Sequence, residues 1–213
     1  MVLGLISLAA TIPLTASAVL SLQENAEKCN DQESEGSPKA WMRNKSHIRT
    51  RATRRTPEDR KPIFERSHVV LRDGLLYVQS KSQSSLTSLH PFTGYYLPYP
   101  ETKYEGIVST ISNDPPQLNW IYVDPSTSQV KHGLRAQAEQ GITGPWGARV
   151  VDGERHVLWN DWEGFLAVET GEPGLWGLYF DRKDNGLKGM FEEDRRIVEV
   201  ELLFEELENT GKA

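Results

Sequence analysis

The sequence predicts an all-β protein, a single antiparallel β-barrel or barrel-like sandwich of about ten short strands behind a disordered N-terminal extension. Three observations predict it. From Ser67 onward, short apolar runs recur, each bounded by turn residues. The clearest run, RRIVEVELLF, places Val198, Val200, Leu202 and Phe204 on one face and Glu199 and Glu201 on the other, a period of two. No stretch keeps a helical stripe over several turns, apart from a short C-terminal FEELE.

The strands follow in order. HVVLRDGLLYVQS reads as two strands around Asp73-Gly74, a favoured hairpin turn. GIVSTIS and LNWIYVD come next, separated by Asn113-Asp114-Pro115-Pro116, whose prolines stop both helix and ladder. QVKHGLRA follows PSTS. ARVVDGERHVLW repeats the Asp-Gly hairpin, and GFLAVETGEPGLWGLYFD pairs around Gly171 to Gly174. Several strands are apolar on both faces: Trp120 and Tyr122 point one way, Ile121 and Val123 the other, and Leu75 to Val78 behaves alike. In an antiparallel sheet that requires a closed or covered arrangement.

The expected organisation is a signal-like segment at 1–18, a disordered and charge-segregated stretch at 19–66, a β domain at 67–204 and a short tail at 205–213. VLGLISLAATIPLTASAVLSL carries no charge and ends its apolar run near Ala16-Ser17-Ala18, a secretory cleavage pattern, although it lacks a basic start. Pro13 and the small polar residues argue against a stable membrane span. A secretory location follows, with a cytoplasmic one if the segment is not a signal. The dibasic Arg54-Arg55 is a candidate processing point, and Asn44-Lys45-Ser46 a glycosylation triplet.

Charge is uneven: ahead of Ser67 there are 11 Lys/Arg against 8 Asp/Glu, leaving 13 against 22 for the remainder of a chain whose net charge is −6. An acidic body disfavours nucleic acid, whose binding draws on cations that neutralise phosphates. The single cysteine, Cys29, allows no intramolecular disulfide and no cysteine-based metal site. The histidines lack metal-ligand spacing. In DRKDNGLKGMFE, Lys183 stands where a calcium loop needs an oxygen ligand. No metal or cofactor is expected, and the oligomeric state is open.

WNDWEGFLAVE concentrates the chemistry. Asn160-Asp161 suits a tight turn, with Trp159 and Trp162 facing each other across it, and Gly164 suits a bulge. The motif is then a structural corner, or part of an aromatic cavity. The expected cavity residues are Trp120, Trp146, Trp162 and Trp176, with Tyr96 and Tyr99 from a long Tyr- and Pro-rich loop at 90–106 closing over it. Asp161 and Glu163 are the candidate general acid and base, on the premise that burial beside tryptophans raises a carboxyl pKa. His132, Arg135 and Glu139 form a second candidate acid/base group.

Taken together, WIYVD, GPW and WEGFLAVE resemble a group of small fungal proteins of β-rich character, over residues 68 to 204. The resemblance implies a domain boundary near the first strand and brings no mechanism with it. The leading functional expectation is binding of a small, largely apolar or aromatic molecule in the Trp/Tyr-lined cavity. A cofactor-independent isomerase or cyclase using the same cavity, and a structural or interaction protein with a filled core, are the alternatives.

Overall fold

The computed structural model describes residues 40–80, 89–113 and 116–207. The signal-like segment, Cys29 and the centre of the Asn113–Pro116 turn lie outside the described residues. Within them, thirteen strands form one sheet, built as three successive units of one plan. The first unit holds β1 (Ser46–Ala52), the hairpin β2 (His68–Arg72) and β3 (Leu75–Gln79), the short β4 (His90–Pro91), and β5 (Gly94–Pro98). The second holds β6 (Glu105–Asn113), β7 (Pro116–Val123), β8 (Val130–Gly133) and β9 (Trp146–Val151). The third holds β10 (Glu154–Trp159), β11 (Phe165–Glu169), β12 (Leu175–Phe180) and β13 (Ile197–Glu206).

The outer strands pair in a ring, β1 to β5, β6, β9, β10, β13 and back to β1, all antiparallel. This closes the barrel that the sequence predicts. The three inner hairpins, β2–β3, β7–β8 and β11–β12, meet through Tyr77↔Gly177, Leu75↔Lys131 and the Gln129↔Tyr179 bridge. They form a cap. Both Asp-Gly turns adopt the left-handed pair that a two-residue hairpin needs, with φ of 52° and 80° at Asp73-Gly74 and 51° and 81° at Asp152-Gly153.

The alternation read from β13 holds: Val198, Val200, Leu202 and Phe204 all enter the main core. The two-faced strand β7 is equally legible. Ile121 and Val123 join that core, whereas Trp120 belongs to a second cluster with Tyr95, Leu97, Tyr99, Val108, Leu118 and Ala138, against which Tyr122 packs. A helical turn at Arg135–Ala138 supplies Ala138 to that cover.

Rings occupy the barrel interior, where a hollow was the expectation. Tyr96 and Phe204 lie 5.0 Å apart, Phe92 and Phe204 6.0 Å, and Trp146 and Phe165 6.2 Å. Eight strands leave a barrel interior only just wide enough for side chains to fill, so a ring of six leaves less. Each buried ring removes roughly 150–250 Å² from water, so the packed centre, rather than a guest, stabilises the barrel.

Two boundaries differ from the sequence expectation. Residues 40–66 belong to the fold: β1 pairs with β13 from Ser46↔Glu206 to Ala52↔Val200, and Phe64 in the helical turn Lys61–Phe64 is fully buried against Trp176. The stretch escapes notice because β1 turns Ser46 and Thr50 inward beside Ile48. Both hydroxyls are satisfied locally, Ser46 Oγ donating to Asn44 O and Thr50 Oγ1 to Phe64 O. Arg54-Arg55 therefore sits between paired strands, so a cut there would nick the barrel without releasing β1. Residues 90–106 are likewise wall more than lid, since β5 lines the ring and only a turn from Tyr99 to Tyr104 remains.

Removing β1 opens the ring. A chain started at Ser67 is expected to lose cooperative thermal unfolding, whereas one started at Ala40 keeps it. Circular dichroism melts of the two decide the matter, and a cooperative melt from the shorter chain would refute the closure.

Candidate functional site

The WND-W turn is a two-residue hairpin of the kind its sequence suggests. Asn160 and Asp161 take φ of 52° and 58°, a left-handed pair that Asn and Asp tolerate better than most residues. Trp159 and Trp162 bond reciprocally, N–H to carbonyl, at 3.0 and 3.1 Å. Gly164 forms no bulge. A Cβ there would stand 1.9 Å from Trp162 Nε1, so the glycine is what lets the indole lie against the chain.

Two further segments come to this turn. The Asn160 N–H donates to Pro145 O at 2.8 Å, and the Asp181 N–H to Gly164 O at 2.7 Å. These bonds join the Gly144-Pro145 approach to β9 with the loop that follows β12. Between them lies an open cleft of about 550 Å³. Ile142, Pro145, Trp159, Trp162 and Phe180 form its apolar walls, and Asn160, Arg182, Lys183 and Asp184 its polar ones. Trp162 is 42% exposed. The Trp159 indole N–H, buried at the cleft wall, has no hydrogen-bond partner among the described residues.

The other expected cavity residues go elsewhere. Trp146 and Trp176 are in the main core, Trp120 in the second cluster, at 4%, 6% and 1% exposure. Tyr96 is sealed in the barrel, its hydroxyl donating to Gly147 O at 2.8 Å, and burial pushes that phenol well above its ordinary pKa. Tyr99 packs edge-on to Trp120 at 4.8 Å. The predicted set thus divides among three places, with only Trp162 at the cleft. The sequence pattern does not mark Arg182, Lys183 and Asp184 as site residues, since their loop resembles a broken calcium motif more than a binding edge. The signal available was its pair of adjacent cations.

The premise for acid/base work is not met where it was sought. Asp161 is exposed, and Glu163 is engaged by Arg149 and faces His156 Nδ1 at 3.4 Å. His156, Glu163 and Glu201 bring one ligating atom each within 4.8 Å of one another. Each glutamate already holds a guanidinium, Arg149 on Glu163 and Arg51 on Glu201, and Arg51 also reaches His156 Nε2 at 3.4 Å. A divalent cation would have to displace both arginines. The group reads as part of a charge network on the barrel wall that continues through Arg49 and Glu154 at 2.5 Å.

His132, Arg135 and Glu139 also do not converge. Arg135 binds Glu139 at 2.7 Å and Glu101 at 3.0 Å, while His132 Nδ1 accepts from Asn119 Nδ2 at 3.0 Å. Burial, with a smaller contribution from His90, lowers the His132 pKa to about 4.

A barrel of outer strands capped by three hairpins defines a β-trefoil, and its aromatic clusters and cleft suit a role in binding or interaction. A family model described as the fungal beta-trefoil domain matches residues 18–208, and the chain belongs to that family. No curated protein and no solved structure matches the chain. Among the described residues no helix is long and apolar enough to cross a membrane.

The His132 environment gives a pH dependence. The folded protein keeps this imidazole neutral down to about pH 4, whereas an unfolded chain protonates it near its ordinary 6.5. Across that window the unfolded state binds more protons, so stability falls as pH drops from 6.5 toward 4, by roughly 3 kcal/mol at most. The melting temperature of the wild type is expected to fall more steeply than that of His132→Gln between pH 7 and 4. Parallel curves would remove His132 as the cause.

Proposed function

We propose that the protein is a binding module that takes a small ring-bearing molecule, largely apolar or aromatic on its faces, in the surface cleft beside Trp162. The exposed indole carries this reading. Trp120, Trp146, Trp159 and Trp176 are buried, yet Trp162 leaves 42% of its surface in water, a hydrophobic cost that a stacked ligand would recover. Gly164 keeps the ring in that position.

The cleft also has the make-up of small-molecule sites, which span roughly 300–1,000 Å³ and set a few polar groups in an apolar wall. Asn160 offers an amide, and Arg182, Lys183 and Asp184 offer charges. Asp184, the carboxylate among these, is exposed. It gains no dry surroundings that would suit it to proton transfer at neutral pH, so binding fits better than turnover. A site inside the barrel is disfavoured by the rings that fill it.

Titration of tryptophan fluorescence with a library of aromatic and saccharide ring compounds is expected to give a saturable shift. Trp162→Ala should weaken binding about tenfold or more, and Gly164→Ala, which displaces the indole, should do the same with the melting temperature little changed. A flat response from folded wild-type protein, or full affinity in both variants, would overturn the proposal.

A further inference from the structure

A second cleft of about 300 Å³ adjoins the first, and Arg182 and Lys183 line both. Its remaining walls include Ser126, Ser128, Lys188 and Met190. Three cations within seven residues therefore border one continuous depression on a protein of net charge −6.

Being unpaired and lining adjoining clefts together is what sets them apart. Many cations elsewhere on the barrel are held by carboxylates, as in Arg43 with Glu105 at 3.0 Å, Arg72 with Glu172 at 2.6 Å, Lys131 with Asp124 at 2.5 Å and Arg155 with Glu206 at 2.7 Å, while Lys45, Arg54, Arg66, Lys103 and Arg195 have no carboxylate partner among the described residues but line neither cleft. Among the described residues, Arg182, Lys183 and Lys188 make no ion pair. Two carboxylates lie beside them: Asp184, exposed, lines the first cleft, and Asp181, which lines the second, is buried and turned into its own loop, where its carboxylate oxygens accept from the N–H groups of Lys183 at 3.2 Å and Gly186 at 2.5 Å. Those bonds, with the Asp181 N–H on Gly164 O and the Phe180 N–H on Ser128 O at 2.9 Å, fix the loop against the Trp162 turn. The cations are thus carried on an anchored segment.

We propose that the ligand of the Trp162 cleft is anionic: its ring lies on the indole, and its carboxylate or sulfate projects into the adjoining cleft between Arg182, Lys183 and Lys188. This rests on the cleft reading above and adds the ligand's charge. Guanidinium and ammonium donors give an oxyanion the stronger, charge-assisted class of hydrogen bond. An acidic body otherwise repels such a ligand, so a local cationic end is what would select it over a neutral ring of the same shape.

The test uses full-length protein and two matched pairs, D-glucuronate with D-glucose, and benzoate with benzyl alcohol, titrated by fluorescence and calorimetry. In at least one pair the anion is expected to bind about tenfold more tightly than its neutral partner. That preference should shrink between 0.05 and 0.5 M salt, as screening of a solvent-accessible charge requires, on the order of the Debye-length change. Lys183→Gln and Lys188→Gln should each reduce the anion-to-neutral ratio, and Lys103→Gln, a cation outside both clefts, should not. The pair that responds identifies an acidic sugar or an aromatic acid as the source. Equal binding of anion and neutral partner overturns this proposal and leaves the cleft reading standing. No binding of any of the four probes overturns both.

Discussion

Everything in the structure depends on the pairing of β1 with β13. It joins the first described strand to the last over seven residue pairs, and without it the ring of outer strands becomes an open sheet with two long edges. Closure removes those edges and encloses the aromatic core in the same step. The seam is marked electrostatically on its outer face. Arg51 and Arg55 of the N-terminal segment meet Glu201 and Glu199 of β13, and Arg49 and Arg51 meet Glu154 of β10. Single surface pairs contribute only about 0–1 kcal/mol. Their value here is register, since a one-residue slip of β1 would turn its arginines into the core and Ile48 out of it.

That seam also explains the charge asymmetry of the sequence. A basic stretch ahead of an acidic one looks like a solvated tail when each is considered alone. Its partners lie some 150 residues away along the chain, as with Arg51 and Glu201, and no local pattern joins them. The alternation in SHIRTRA was present, with His47, Arg49 and Arg51 outward, but its inward positions are Ser46, Ile48 and Thr50, too polar to register as apolar. The strands that were legible, β7 and β13 above all, are those in which burial is carried by apolar side chains, on a period of two in β13 and on both faces in β7.

The same distinction governs the site. The Trp159–Trp162 turn is a local object, determined by Asn160 and Asp161 and readable from four letters. What surrounds it is not local. Pro145 arrives from the second unit, its carbonyl accepting from the Asn160 N–H, and Lys183 from the loop after β12, which is tied by the Asp181 N–H on Gly164 O, and side-chain pattern encodes neither backbone bond. A set of tryptophans was legible as important to the fold, but the sequence carries no mark of which side of a strand faces the barrel and which faces its cover. Trp120 lies one residue from Ile121, and the two enter different clusters.

Barrel width then decides where function can be. A ring of six outer strands is narrow enough that Tyr96, Phe92, Trp146 and Phe204 complete it, and widening it for a guest would break the hydrogen-bonded closure on which stability depends. Variation in such a fold is therefore cheapest outside the ring, where connections between strands can change without disturbing the ladders. The cleft beside Trp162 is built from three such connections. Its one large exposed ring is held by a glycine that gives it room, and its charges sit on a loop braced by Asp181. Core and cleft meet in this chain at Trp159 and Phe180, which belong to the interior rings and also line the cleft, whereas the connections at the barrel rim are free to vary without opening the ring.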